Sequence, residues 1–270
     1  MKELQVLKRA ALAGGRVLAA KFGKVGYELK GRANLLTEAD LASQRAVIAL
    51  LRKAFPEDGF MAEESPLEAT PNRRLWIIDP LDGTTNYAHG FPAAAVSIGF
   101  AERGVVRAGG VYDPFRKELF LAEKGGGATL NGRRLRVSKA AKLSEALLVT
   151  GFPYDRAERA EFYCGFFAEF MQLSHDVRRM GSASLDLCWL AAGRTDGYWE
   201  FGLKPWDVAA GGLIAAEAGA AVTDFNGRPW TVDAGLGSQT LVSNGRIHAE
   251  MMKIIRRRIR EAGECGSSRR

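Results

Sequence analysis

The chain has 270 residues, of which 47% are apolar and 26% charged, values that are ordinary for a soluble globular protein. At this length it can bury a sizeable core, as one large domain or as two fused halves. No stretch approaches the roughly 20 apolar residues that span a bilayer, and the N-terminus has no signal-peptide core, so we expect a cytoplasmic protein without a membrane partner. The odd set Cys164, Cys188 and Cys265 predicts neither a disulfide framework nor a thiolate zinc site.

The net charge of +7 is concentrated near the C-terminus. From Lys253 onward the sequence has seven basic and two acidic residues, so this short segment carries +5 of the total. We interpret it as the solvated basic face of a final helix followed by a disordered end, GECGSSRR. The alternative is a surface that binds RNA or an acidic protein.

Two helices are predicted before the first strand. Apolar residues at helical spacing indicate a helix over about 3–22, and a short hairpin or extended link follows it over residues 23–30. Thr37 and Asp40 approximate a capping box, which predicts the start of a second helix that runs to about Lys53. Residues 60–62 then form a short apolar segment that is typical of a strand.

The most informative stretch begins with Leu75–Ile78, an apolar run with the length and composition of a buried strand. Asp79 and Asp82 follow it, and Gly83 with residues 84–86 is suited to a tight turn and the start of a helix. Two carboxylates beside a helix start suggest hard cations that bridge them to a phosphate. The alternative is a turn in which both aspartates only cap the backbone.

The rest of the first half reads as successive strands between residues 93 and 121. The loop Gly125–Gly127 is interpreted as a turn rather than a phosphate loop, because no helix pattern follows it and Asn131-Gly132 predicts a hairpin. The residue pattern changes at 139–145, which predicts a boundary between two halves, 1–140 and 141–270. The second half alternates strands and helices, among them a helix from about Arg156 to Leu173, which predicts a layered α/β half after an α+β half.

Three more acidic residues stand at the ends of predicted elements. Glu63 follows one short strand, Glu200 closes another, and Asp207 lies in the first turn of a helix. Alone, Glu63 is typical of a solvated surface pair and Asp207 of a cap that favours the helix dipole. Together with Asp79 and Asp82 they favour a shared carboxylate site.

At this point the sequence resembles the inositol monophosphatase family. The resemblance covers about residues 5–260 and rests on long motifs in the expected order. They are Ala62-Glu63-Glu64-Ser65, Trp76-Ile77-Ile78-Asp79-Pro80-Leu81-Asp82-Gly83-Thr84-Thr85-Asn86-Tyr87, Met180-Gly181-Ser182-Ala183-Ser184, Tyr198-Trp199-Glu200 and Trp206-Asp207-Val208-Ala209-Ala210-Gly211. The resemblance implies a layered α-β-α-β-α fold and a homodimer that hydrolyses phosphate monoesters with Mg²⁺ and is inhibited by lithium.

Residue roles follow from the resemblance position by position. Two or three Mg²⁺ ions would be held by Glu63, Asp79, the Leu81 carbonyl, Asp82 and Asp207. The catalytic residues would be Asp40, Thr84 and Glu63, with Asp40 and Thr84 orienting and deprotonating the attacking water. The backbone N–H groups of Gly83 and Thr84 would hold the phosphate. The substrate hydroxyls would meet Asp82, Gly181, Ser182, Ala183, Glu200 and Asp207.

The sequence departs from the family pattern at three positions. Asn34 stands where an aspartate is common, Ala62 replaces a glycine, and Lys30 is offset from a lysine that is often present near the metal site. The residues that follow Asp82, Gly-Thr-Thr-Asn-Tyr, favour a small polyol phosphate as the substrate. We expect that substrate to be myo-inositol 1-phosphate. Fructose 1,6-bisphosphate and histidinol phosphate stay open as alternatives, as does a binding role of the basic C-terminal helix.

Overall fold

A computed structural model of the chain describes residues 2–24, 26–29, 35–68, 73–232 and 235–267. Two helices open the fold, α1 over Lys2–Lys21 and α2 over Glu38–Ala54. The predicted capping box starts α2: the Thr37 hydroxyl accepts from the Ala39 N–H at 3.1 Å, and Asp40 Oδ2 accepts from the Thr37 N–H at 2.7 Å. Between them, β1 over Tyr27–Leu29 pairs antiparallel with β2 over Leu35–Thr37.

A seven-stranded sheet follows, with its strands in chain order from one edge to the other. Only β3 and β4 are parallel, and the remaining neighbours are antiparallel. The short helix α3 over Thr84–Ala88 follows β4 directly. The strands are β3 Gly59–Ala62, β4 Arg74–Asp82, β5 Ala95–Glu102, β6 Val105–Asp113, β7 Glu118–Glu123, β8 Gly127–Leu130 and β9 Arg133–Arg134.

The second half builds a five-stranded mixed sheet in the order β11-β10-β12-β14-β13. Its strands are β10 Leu147–Thr150, β11 Asp176–Arg178, β12 Gly197–Phe201, β13 Ala221–Thr223 and β14 Gln239–Ser243. Its helices are α4 Ala160–Leu173, α5 Ala183–Ala191, α6 Pro205–Glu217 and α7 His248–Ser267, with 3₁₀ turns at Leu143–Glu145 and Tyr154–Ala157.

The layers stack as α-β-α-β-α, which confirms the predicted fold class. Helices α1 and α2 cover one face of the large sheet, α5 and α6 lie between the sheets, and α4 and α7 cover the far face of the small sheet. Helix α6 lies close to the large sheet, and the missing side chain of Gly109 permits this approach. A Cβ at Gly109 would lie only 2.9 Å from the Ala210 carbonyl oxygen. The middle layer packs on both sheets, and the division at residue 140 stays a prediction.

Local structure differs from expectation at three places. Strand β4 continues past Pro80 to Asp82, with a register shift after Asp79 where proline has no N–H to donate. Helix α4 begins at Ala160, later than the predicted position 156, because a 3₁₀ turn precedes it. Helix α7 reaches Ser267, into the end that was expected to be disordered. Among the described residues, no helix has the length and apolar character needed to cross a membrane.

The glycine loop Gly125–Gly127 is a hairpin turn between β7 and β8, as predicted. Its Gly125 and Gly127 N–H groups donate to the two carboxylate oxygens of Glu217, at 2.7 and 2.8 Å. The loop therefore holds an internal carboxylate of α6 and fastens the middle layer to the sheet.

Candidate active site

One pocket of about 420 Å³ opens where the end of β4 meets α5, β12 and the start of α6. It gathers sequence-distant residues because parts of both sheets and of the middle layer end there. All but one of the predicted site residues line it: Glu63, Asp79, Leu81, Asp82, Gly83, Thr84, Gly181, Ser182, Ala183, Glu200 and Asp207. The exception is Asp40, which is fully buried behind Thr84.

The shift in register within β4 exposes two carboxylates to this pocket. Asp79 Oδ1 accepts from the Leu81 N–H at 3.0 Å, which fixes the turn around Pro80. Asp82 Oδ2 accepts from the Ser182 hydroxyl at 2.6 Å and from the N–H and hydroxyl of Ser184 at 2.7 and 2.5 Å. Asp82 thus ties the large sheet to the start of α5, across 100 residues of sequence.

Asp207 comes from the first turn of α6, as the sequence predicted. Its Oδ2 accepts from the Lys204 backbone N–H at 2.7 Å, which caps the helix and fixes the carboxylate at the pocket wall. The capping interpretation and the pocket interpretation are therefore both correct for this residue.

The pKa values of the carboxylates in the pocket are strongly shifted by burial and by one another. Burial raises the pKa of Asp79 well above its ordinary value, and the nearby charges of Glu63, Asp82 and Asp207 add to the effect. Burial likewise raises the pKa of Asp207 and of Asp82, although hydrogen bonds from Ser182 and Ser184 oppose the rise at Asp82. Clustered acids that receive only neutral hydrogen-bond donors favour a bound cation as the missing counter-charge.

The donor set fits a hard cation. It consists of carboxylate oxygens and the Leu81 carbonyl, which are the ligand types that Mg²⁺ and Ca²⁺ prefer. Within the described parts of the chain, no three His, Cys, Asp or Glu side chains already converge on one cation-sized position. A bound cation would offset the repulsion between these carboxylates.

Asp40 and Thr84 form a second element behind the carboxylates. The Thr84 hydroxyl lies 3.2 Å from Asp40 Oδ1 and 2.9 Å from the Leu81 carbonyl oxygen. Asp40 Oδ2 accepts from the Thr37 hydroxyl at 2.6 Å, which holds the carboxylate in place. Burial raises the pKa of Asp40, while the hydrogen bonds from Thr37 oppose the rise. The capping box of α2 thus also positions a buried carboxylate beside Thr84.

The opposite wall of the pocket carries Glu200. Its Oε2 accepts from the Tyr198 hydroxyl at 2.5 Å, and burial raises the pKa of this carboxyl to about 7. Gly151 packs directly on it, since a Cβ there would lie 2.1 Å from Glu200 Oε2. The carboxyl is thereby held in place at the pocket wall, which also includes aromatic side chains such as Phe152 and Phe201.

Comparisons with known proteins agree with this geometry. The inositol monophosphatase family model matches residues 2–260. The chain belongs to this family.

Relatives and solved structures are similar over nearly the whole chain. An inositol-1-monophosphatase of Synechocystis sp. is 42% identical over 93% of this chain and 88% of its own. A protein named Nus factor SuhB from Pasteurella multocida is 40% identical over 97% and 96%. The structure of an inositol monophosphatase from Thermotoga maritima has a TM-score of 0.88 at 36% identity, over 97% of this chain and 99% of that one. The protein is therefore a phosphoric monoester hydrolase of a metal-dependent family.

The family pocket contains residues that the sequence did not single out. Arg179 lines it and, in the described part of the chain, makes neither a side-chain hydrogen bond nor an ion pair. Its charge acts on the carboxyls of Glu200 and Asp186, the second of which is buried on α5 with Oδ1 unpartnered. Tyr154 and Arg156 add a wall from the 3₁₀ turn after β10. Arg179 directly precedes the motif Met180-Gly181-Ser182, and that position was the available signal.

Two of the sequence departures cannot be placed. Asn34 and Lys30 lie outside the described residues. Ala62 is buried at the end of β3, and the Glu63 N–H that follows it donates to the Ile78 carbonyl at 3.1 Å. The alanine therefore leaves the predicted ligand Glu63 anchored beside β4.

Proposed function

We propose that the protein hydrolyses a small polyol phosphate monoester in a Mg²⁺-dependent reaction, with myo-inositol 1-phosphate as the substrate. The observation that carries this proposal is the gathering of Glu63, Asp79, Asp82 and Asp207 around one pocket. Such a cluster is costly in free energy unless cations neutralise it, and a phosphate dianion needs the same cations.

Two or three Mg²⁺ ions would be held by Glu63, Asp79, the Leu81 carbonyl, Asp82 and Asp207. When bound, they would supply charge neutralisation for the phosphate and lower the pKa of a coordinated water. The proposed ligands Asp79, Asp82 and Asp207 accept hydrogen bonds from neutral donors, so these donors leave their charge for the metal ions to balance.

Asp40 and Thr84 act on the attacking water. The Thr84 hydroxyl has one proton and two lone pairs, so it can accept a proton from water while it donates to Asp40 Oδ1. The raised pKa of Asp40 suits a base that must receive this proton. Since Asp40 is fully buried, the proton has to reach it through Thr84.

The phosphate would be held at the turn after β4. Gly83 has φ +91° and lines the pocket together with Thr84, so their two N–H groups are candidates for the phosphate oxygens. A side chain at Gly83 would be strained, because its Cβ would also lie 2.8 Å from the Ala93 carbonyl oxygen. Helix α3 has only five residues, so these local donors matter more than a helix dipole.

The substrate hydroxyls would meet Glu200, Ser182 and the neighbouring backbone of Gly181 and Ala183, with Asp82 and Asp207 at the metal side. A wall of hydroxyl and carboxyl groups suits a cyclitol. A sugar bisphosphate or histidinol phosphate presents similar hydroxyl or amine groups, and these remain the competing substrates.

The direct test is phosphate release from myo-inositol 1-phosphate, fructose 1,6-bisphosphate and histidinol phosphate, with Mg²⁺ or EDTA and with or without lithium. We expect Mg²⁺-dependent, lithium-inhibited release with a preference for the inositol ester. Release that is equally fast in EDTA would contradict the metal-dependent mechanism, and preference for another ester would correct the substrate.

We also propose that the protein works as a cytoplasmic homodimer, as the family resemblance implies. Light scattering should give about twice the chain mass of 29.3 kDa. A monomer at micromolar concentration would contradict this part of the proposal.

A nucleic-acid or protein partner of the basic C-terminal helix receives less support, although some relatives are named Nus factor SuhB. Arg257 and Arg258 of α7 both form ion pairs with Glu169, and Arg256 Nε donates to the Phe225 carbonyl at 2.8 Å. These arginines anchor α7 to α4 and to the turn after β13. The basic tail is therefore better explained as part of the fold.

A further inference from the structure

A different basic segment connects the two halves of the fold. It consists of residues 133–142 and is called the basic strap below. Between Lys124 and Ser144 the sequence contains five basic residues and no acidic one. The strap runs from the edge strand β9 of the large sheet to the 3₁₀ turn before β10.

The uncharged residues of the strap fix it to the protein. Leu135 is buried, and its N–H donates to the Ala128 carbonyl at 2.9 Å. The Val137 N–H donates to the Ala218 carbonyl at 3.2 Å, and Asn244 Nδ2 donates to the Ala140 carbonyl at 2.9 Å. The Ser138 hydroxyl donates to Asp196. The backbone is thus held in place independently of the charged side chains.

The basic side chains face solvent instead. Arg133, Arg136, Lys139 and Lys142 are exposed, and within the described residues none makes a side-chain hydrogen bond or ion pair. They stand at every third position, which places neighbours at most about 10 Å apart along the chain. Arg134 is also exposed, so the strap carries five cations of its own.

A sixth cation joins the row from the other half of the fold. Arg246 is exposed and donates to the Lys139 carbonyl at 3.3 Å, beside the strap. Two acidic side chains beside the strap already have partners: Asp196 accepts from Ser138 and from the Leu147 N–H, and Glu217 accepts from the glycine loop. The first acidic residue after the strap is the exposed Glu145. Within the described residues, Arg133, Arg136, Lys139 and Lys142 thus form a row of like charges that have no ion-pair partner.

We propose that the basic strap with Arg246 binds the phosphodiester backbone of single-stranded nucleic acid. A line of cations spaced along a fixed backbone matches a linear polyanion. The strap has no exposed aromatic or large aliphatic side chain, which the core of a protein–protein interface requires. For the same reason base stacking is absent, and binding is independent of sequence.

The test measures fluorescence anisotropy of labelled 20-nucleotide poly(U) RNA and oligo(dT) DNA with the full-length protein between 50 and 300 mM NaCl. We expect log affinity to fall with log salt with a slope of about −3 to −4, since each phosphate contact contributes roughly −0.7 for single strands. The triple variant Arg133→Glu, Arg136→Glu, Lys139→Glu should bind at least thirtyfold more weakly, with a slope smaller by about 2.

A matched variant controls for net charge. Lys8→Glu, Arg9→Glu, Arg16→Glu makes the same charge change on exposed residues of α1, and these residues have no hydrogen bond or ion pair among the described parts of the chain. We expect its affinity to stay within threefold of the original. Phosphatase turnover, which does not use these residues, reports that both variants are folded.

Three results would overturn the proposal. They are no salt-dependent binding at 50 mM NaCl, equal loss of affinity in both triple variants, or strap-dependent binding of poly-glutamate but not of either oligonucleotide. The last result would assign the strap to an acidic protein. RNA and DNA binding of equal strength would support recognition of the shared backbone, and a preference for RNA would add contacts to the 2′-hydroxyl.

Discussion

The two ends of strand β4 place buried carboxylates in opposite circumstances. At its start, the Arg74 guanidinium donates to Asp58 Oδ1 at 2.8 Å and to Oδ2 at 3.2 Å, and Trp76 Nε1 donates to Oδ2 at 3.0 Å. At its end, Asp79 and Asp82 accept from neutral donors alone, as far as the described residues go, and they face further acids. Charge is balanced internally at one end and left unbalanced at the other.

This difference separates stability from function. The hydrogen bond and charge of Asp58 raise the pKa of Arg74, as expected for a pair that stabilises the fold. Burial and like charges raise the pKa of Asp79, as expected for a site that a ligand completes. The same strand therefore anchors the sheet and supplies the active site.

The strongest test of the comparison replaces one carboxylate at the active end. Asp82→Asn removes a proposed metal ligand at constant volume, so kcat should fall by about three orders of magnitude, equivalent to about 4 kcal/mol. Steady-state phosphate release measures this. The melting temperature in EDTA should change by no more than about 3 °C, because neutral donors surround the residue.

Asp58→Asn is the matched control at the other end of the strand. It leaves Arg74 without its main partner, so the free energy of unfolding should fall by about 2 kcal/mol while kcat stays within twofold. Urea unfolding and the same phosphate assay measure the two quantities. If Asp58→Asn lost activity and Asp82→Asn kept it, the assignment of the two ends would be reversed.

Thr84→Val should reduce kcat about a hundredfold, because the isosteric side chain cannot pass a proton to Asp40. Thr84→Ser keeps the hydroxyl and should retain most of the activity. Equal losses in both variants would show that the methyl group matters and would remove the proton-relay role.

Glu200 makes stability depend on pH in a defined direction. Its pKa of about 7 in the folded protein lies above its ordinary value of 4.5, so its stabilising effect is complete below pH 4.5 and is lost as pH rises to 7. Relative to Glu200→Gln, the original protein in EDTA should lose about 2 kcal/mol between pH 5 and 7. Urea unfolding at both pH values measures this, and parallel curves would refute it.

Arg179→Gln should raise KM about tenfold with little change in kcat, because the guanidinium lines the pocket and has no hydrogen-bond or ion-pair partner among the described residues. Arg178→Gln is the control, since Arg178 pairs with Asp176 outside the pocket. An unchanged KM in Arg179→Gln would remove this residue from substrate binding.

Local features of the fold could be predicted from the sequence. The Thr37–Asp40 capping box, the buried strand before Asp79 and the glycine turn depend on neighbours within a few residues. Contacts between residues that are far apart in the sequence could not be predicted. The ion pairs between Arg257 and Glu169 depend on how α7 packs on α4, so the basic tail looked more available in sequence than it is in the fold.

The dependence on long-range packing also explains why the sequence did not identify every residue of the site. Arg179 stands beside Arg178 and Asp176, a pattern that is typical of a solvated strand edge. Only the packing of α5 against β4 brings it to the pocket. Motif resemblance located the carboxylates, whereas the basic side of the pocket required the structure.

The most direct measurement of the central claim is the melting temperature at increasing Mg²⁺ concentrations, measured by scanning calorimetry. It compares the original protein with Asp82→Asn and Asp58→Asn. We predict that Mg²⁺ raises the melting temperature of the original protein and of Asp58→Asn, because it neutralises the acidic end of β4. Asp82→Asn should respond much less. No stabilisation of the original protein at 10 mM Mg²⁺, or equal stabilisation of all three, would contradict the account.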